Sequence, residues 1–182
     1  PEEMPKFLKY AKKCIPYKKI HLCVTTLRDD FGRSKPENVK LLLPPVMVPE
    51  SCKERDTYHE RKNVLRIGFF GHYRTGEKKL NWLLKAIQEA SFKKEVQFIL
   101  QAAPTTDKDR IEVERLVQQY ADDYKIQFIT RKFEGNEWYG AVQKVDAIFL
   151  PYTSERYLYN WSAIYFTAIG CCIPVLTTQM LN

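Results

Sequence analysis

Three stretches of this 182-residue chain gather side chains that could hold an anion or a polar ring. The first runs from Gly71 to Lys79 (GHYRTGEKK). Gly71 lets the chain leave a strand tightly, and Arg74, Lys78 and Lys79 add positive charge, with Lys78 read as solvent-exposed. Amides at the start of a following helix, together with its dipole, would reinforce the attraction for a phosphate. The second stretch, TRKFEGNEW, offers Phe133 as a flat seat for a base. The third, residues 151–178, is the richest. Tyr152, Tyr157, Tyr159 and Trp161 crowd together there, and Asn160, Trp161 and Ser162 stand where a helix would begin. The first amides of that helix and the Ser162 hydroxyl would face a phosphate, with Thr167 further along. Aromatic rings with polar handles suit sugar and base contacts.

Sharper motifs are absent. Gly71 and Gly76 have the spacing of a phosphate-binding P-loop, but Glu77 follows where a lysine is required. The dinucleotide fingerprint GxGxxG is missing too, since only Gly68 and Gly71 stand in that turn. The five cysteines fit no disulfide framework or zinc ribbon. His21, His59 and His72 make no metal-spaced set with them, so neither a metal nor another cofactor is expected. Net charge is +7, from dispersed lysines and arginines rather than a block. That pattern argues against a nucleic-acid groove. It fits attraction to anions, either phosphorylated substrates or the acidic lipid headgroups of a membrane's inner face.

The elements that must position these loops follow from periodicity. A short helix is expected over 5–13 and a strand over 19–26. Residues 39–48 read as extended rather than as a central strand because of Pro44 and Pro45. Residues 49–63 have no apolar period and read as a linker. From 64 onward, strands at 64–70, 96–101, 126–130, 145–150 and 173–177 alternate with helices at 77–90, 107–120, 136–143 and about 161–169. Leu80, Leu83, Leu84 and Ile87 fall on one face of the first helix, and Ile111, Leu116 and Val117 on one face of the second. Thr106 or Asp107, and Asn136, are the expected caps. Strands separated by such helices imply an α/β fold, a Rossmann-like parallel sheet with helices on both faces. Ligands bind outside the carboxyl ends of such strands, where the three stretches lie. The sheet ends on a strand without a covering helix, so truncation at the C-terminus is expected.

The third stretch resembles the donor-site segment of retaining GT-B glycosyltransferases, the family 4-like group. Pro151-Tyr152 end a strand, a helix runs through Thr167-Ala168, and Ile173-Pro174-Val175 open the next strand. The Gly71 loop is similar to that family's first loop of the C-terminal domain, with His72 at its Arg position and Lys78 near its Lys position. The resemblance implies that residues 1–63 end an N-terminal acceptor domain plus linker, and that 64–182 bind a nucleotide-sugar donor. It further implies a retaining, metal-independent transfer to a glycan, lipid or protein acceptor, in the cytoplasm or at a membrane's inner face. The implied donor-binding residues are Gly71, His72, Arg74, Lys78, Phe133, Tyr152, Tyr159, Asn160, Trp161, Ser162 and Thr167. Two departures stand out. Tyr159 and Thr167 occupy positions where the family carries glutamates, and Cys172 stands where a glycine is usual. The alternative is a degenerate module of the same fold that binds a partner instead of catalysing.

Overall fold

The computed structural model describes residues 3–25, 35–43, 63–153, 157 and 161–178, with 46, 48 and 50 between. Tyr159, Asn160 and nearly all of the expected linker lie outside the described residues.

Helix α1 (Glu3–Lys13) precedes two short strands, β1 (Leu22–Thr25) and β2 (Val39–Leu42). The strands pair in parallel, with Leu22 opposite Val39. A strand at 39–42 corrects the expectation for this segment. The ladder stops at Leu42, before either proline, so no N–H that it needs is missing. Ala11 and Val39 are buried under Phe7, Leu8, Leu22, Val24 and Leu41. The Asn38 amide donates to the Ala11 carbonyl at 2.9 Å and staples helix to strand.

The main sheet contains β3 (Val64–Phe69), β5 (Glu95–Gln101), β7 (Ile126–Ile129), β8 (Ala147–Leu150) and β9 (Val175–Thr177). Their order is β7-β5-β3-β8-β9, and every pairing is parallel. Beyond Gly71 and Ala102, β3 and β5 resume as the short parallel pair β4 (His72–Tyr73) and β6 (Ala103–Pro104). Four helices alternate with the strands: α2 (Leu80–Glu89), α3 (Asp107–Gln119), α4 (Glu137–Gln143) and α5 (Ala163–Gly170).

The sheet is wrapped on both faces because consecutive side chains point opposite ways. Phe69 joins Leu80, Leu84, Ile87, Leu100 and Leu116 in a core under α2 and α3. Phe70 joins Val142, Ile148, Leu150, Ile164 and Ala168 in a second core under α4 and α5. Each fully buried Leu, Ile or Phe contributes about 1.5–3 kcal/mol, so these two layers hold the strand ends in place. Leu80, Leu83, Leu84 and Ile87 are buried as expected from the helical period. On α3 the register is shifted: Val113 and Leu116 are buried, whereas Ile111 is 62% exposed. Thr106 caps α3 through a reciprocal capping box with Asp109. Asn136 sits at the start of α4 with helical dihedrals and makes no side-chain cap. α2 begins at Leu80, three residues later than its apolar period suggests, because Glu77 lies in a turn and Lys78 bridges to Tyr152.

The strand order places the crevice. From β3 the chain steps outward through β5 to β7, then returns to lay β8 on the other side of β3. The loops leaving β3 and β8 therefore diverge at a topological switch point, where such sheets bind ligands.

Candidate functional site

A cavity of about 260 Å³ opens at that switch point. Gly71, His72, Arg74 and Lys78 line it from the β3 side, and Tyr152, Trp161 and Ser162 from the β8 side. Side chains from two loops that are far apart in sequence thus share one wall-to-wall space.

Lys78 is its most unusual member. Contrary to the exposed position expected from the sequence, it is only 7% exposed. Its ammonium donates to the Phe70 carbonyl at 3.0 Å. It also lies 5.4 Å from the Phe69 ring centre and 5.6 Å from that of Tyr152. The main chains of Lys78 and Tyr152 form an antiparallel bridge, which ties the loop after β3 to the end of β8. Burial pulls the Lys78 pKa down to about 8, with Arg74 pushing the same way and Glu77 opposing both. Burial likewise lowers the pKa of His72, helped by the positive charges of Lys132, Lys78 and Arg74. Desolvation dominates both shifts, and the positive neighbours add to it at His72. Arg74 reaches Glu77 at 3.5 Å, and this carboxylate also lines the cavity.

The Gly71 amide is not free to meet a ligand. It donates to the buried Gln101 Oε1 at 2.8 Å, and Gln101 Nε2 donates to the Arg131 carbonyl at 2.9 Å. Gln101, at the end of β5, thereby holds the first loop and the loop after β7 at a fixed separation. The Gly71 amide is thereby spent within the protein, and the Lys78 and Arg74 side chains supply formal positive charge on this wall.

On the facing wall, the Tyr152 ring stacks on Tyr157 at 4.0 Å with planes 8° apart. Burial raises the pKa of the Tyr152 hydroxyl, so it stays protonated. It lies 3.3 Å from Ser162 Oγ. Ser162 is the N-cap of α5, and its hydroxyl accepts from the Tyr165 amide at 3.3 Å. The hydroxyl is therefore shared between a cap and Tyr152, rather than aimed solely at the cavity as the sequence suggests.

Two expected site residues face elsewhere. Phe133 packs against Phe70 and Trp138, with ring centres 6.1 and 6.0 Å apart, and does not line the cavity. Thr167 turns its hydroxyl into its own helix, donating to the Ala163 carbonyl at 2.9 Å. The Trp138 indole donates to the same hydroxyl at 3.5 Å. Trp138, Phe70, Glu77, Ala163 and Ile164 line the cavity but were not singled out from the sequence. Phe70, Glu77 and Ala163 are immediate neighbours of residues that were. Trp138 reaches the site only through the packing of α4 against α5, for which no local pattern exists. Among the described residues, no group of three or more His, Cys, Asp or Glu is placed to hold a metal ion.

No family model matches the chain, and no curated protein matches it. Solved structures do. Anabaena HepE, in complex with UDP and glucose, aligns over 94% of this chain with a TM-score of 0.62 and 12% identity. A variant of S. aureus TarM, in complex with Fondaparinux, alpha-GlcNAc-glycerol and UDP, aligns over 98% at a TM-score of 0.62 and 9% identity. The lipopolysaccharide outer core galactosyltransferase WaaB aligns over 96% at a TM-score of 0.55 and 15% identity. The fold is that of GT-B glycosyltransferases. The chain spans 47%, 33% and 48% of these three structures, respectively. Among the described residues, no helix is long and apolar enough to cross a membrane.

Proposed function

We propose that this chain provides the nucleotide-sugar site of a glycosyl transfer. The supporting observation is the meeting of Lys78, His72 and Arg74 with Tyr152, Trp161 and Ser162 in one cavity at the switch point. The cavity's 260 Å³ falls below the roughly 300–1,000 Å³ typical of whole-ligand sites. In this reading it takes the diphosphate and the adjoining sugar, while the base extends beyond it. Lys78 and Arg74 would stabilise the charge that grows on the leaving diphosphate, His72 would add to it when protonated, and the dipole of α5 would act from the opposite side. The aromatic wall of Tyr152, Tyr157 and Trp161 would orient the sugar. Transfer would be retaining and independent of metal, to a glycan, lipid or protein acceptor, in the cytoplasm or at a membrane's inner face. HepE and TarM, both solved with UDP, make UDP the first probe. Calorimetry with UDP and UMP tests the reading, and UDP should bind at least tenfold more tightly. Equal affinities would remove the diphosphate from this cavity.

Thr167 favours a second reading. It stands where related transferases carry a glutamate, and its hydroxyl is consumed within α5. A non-catalytic module would keep the fold and the anion site but transfer nothing. Sugar release from UDP-sugars by the full-length protein, in the presence of glycan acceptors, separates the two.

A further inference from the structure

We propose that Asp109 is a positioning residue for the cationic loop, reaching it through Thr75. The proposal deepens the nucleotide-sugar reading, because it names what holds that site's charges in place.

Asp109 is at the third position of α3, and a carboxylate there commonly serves only as half of a capping box. It does so here, with Oδ2 accepting from the Thr106 amide at 3.1 Å and the Thr106 hydroxyl at 2.8 Å. The Thr105 hydroxyl reaches the same oxygen at 2.9 Å. The other oxygen points away from its own helix. Oδ1 accepts from the Thr75 amide and lies within reach of the Thr75 hydroxyl, both at 2.9 Å. That hydroxyl also meets Glu112 Oε2 at 2.9 Å, so its single proton is shared between two carboxylates. Asp109 is 4% exposed, and the hydrogen bonds from Thr75, Thr106 and Thr105 hold its carboxyl far below the usual range.

Thr75 is the residue between Arg74 and the Gly76 turn, three positions before Lys78. Gly76 has a φ of +86°, so the loop reverses just after the tie. The loop is thereby fixed at Gly71 by Gln101, at His72 and Tyr73 by pairing with β6, at Thr75 by Asp109, and at Lys78 by Tyr152. Without the Thr75 tie, the segment from Arg74 to Glu77 would be held only by β4 before it and by the Lys78–Tyr152 bridge after it, and the packing around Lys78 would loosen with it. A cap alone requires none of the Oδ1 contacts. A carboxylate lost from a buried, fully hydrogen-bonded position leaves donors unpaired on both sides, so the loop and the helix start would be released together.

The test compares Asp109→Ala, which removes both acceptor oxygens, Thr75→Val and, as the cap-only control, Thr106→Ala. Circular dichroism first establishes folding; if Asp109→Ala does not fold, Thr75→Val carries the test. Trace labelling of lysines with acetic anhydride at pH 10, read by peptide mass spectrometry, reports access to the Lys78 amine without any ligand. Lys78 in Asp109→Ala should label several-fold faster than in the wild type, while Thr106→Ala leaves it slow. UDP affinity should fall about tenfold in Asp109→Ala, less in Thr75→Val, and little further in the double variant. Unchanged Lys78 labelling in folded variants would overturn the positioning role. Lack of UDP binding by the wild type would instead overturn the nucleotide-sugar reading, leaving the labelling result to decide the role of Asp109.

Discussion

A side-chain carbon on Gly71 would lie 2.6 Å from the Lys78 ammonium nitrogen. Gly71 also has a φ of +113°, where residues with side chains are strained. Two independent requirements thus converge on glycine: the turn that ends β3, and the space the lysine occupies. Gly71→Ala should destabilise the protein by about 1–3 kcal/mol through backbone strain. It should also displace Lys78 from the Phe70 carbonyl and weaken UDP binding. Thermal melts and calorimetry on the same samples check both effects. An alanine variant that binds UDP normally would show that the lysine's present position is not required.

Lys78 itself should be a liability to the fold. Its pKa is about 8 in the folded chain against an ordinary 10.5, so between these values the unfolded chain binds a proton that the folded one does not. Stability should therefore rise with pH across that window. Lys78→Met removes the buried charge and keeps the volume. It should be more stable than the wild type at pH 7 by about 1–2 kcal/mol, part of the desolvation gain being offset by the lost bond to the Phe70 carbonyl. Urea melts from pH 7 to pH 10 should show the gap narrowing as pH rises. A variant less stable than the wild type at pH 7 would mean that the ammonium is better solvated than its burial indicates.

The same lysine shows how far a sequence reading reaches. The strands and helices from residue 64 onward announce themselves by apolar runs and helical periods, and both predict a wrapped parallel sheet. The ligand crevice follows from strand order, because chain topology confines loops to one edge. Side-chain burial does not follow. Nothing local to GEKK distinguishes Lys78, which is buried, from Lys79 beside it; the difference is made by Phe69, Phe70 and Tyr152 closing from three directions. Phe133 and Thr167 have the right chemistry for the site but turn toward Trp138 and the backbone of α5. Ile111 differs from these, because its exposure follows from the helix alone. At 3.6 residues per turn Val113, Leu116 and Val117 share one face of α3 and Ile111 lies opposite them, so here the helical period itself points to the buried side.

Cys172 offers a stability test away from the cavity. It has a φ of +55° and is exposed, just after α5. A residue with a side chain in this left-handed region costs about 1–2 kcal/mol, and glycine relieves that strain while losing roughly 0.5–1 kcal/mol to greater freedom when unfolded. Cys172→Gly should therefore stabilise the protein by up to about 1 kcal/mol, measured as a higher urea midpoint with unchanged slope. A loss of stability would show that the Cys172 side chain makes a contact worth more than the strain it carries.

Proton uptake should accompany diphosphate binding. In the free protein, Lys78 is half neutral near pH 8 and His72 is held below its ordinary value by burial and by Lys132, Lys78 and Arg74. A bound anion reverses the electrostatic balance and favours the charged form of both groups. Above pH 8 the site must first take up a proton on Lys78, so UDP affinity should fall by up to about tenfold per pH unit. His72 contributes further uptake wherever it is neutral in the free protein and charged beside the bound anion. Calorimetry at pH 8.5 in two buffers of different ionisation enthalpy measures the uptake directly, as a difference between the apparent binding enthalpies. In Lys78→Met that difference should vanish and the affinity should become weaker but flat between pH 7.5 and 9.5. A wild-type affinity that is equally flat over this range, with no buffer dependence, would mean that the Lys78 ammonium and the diphosphate do not meet.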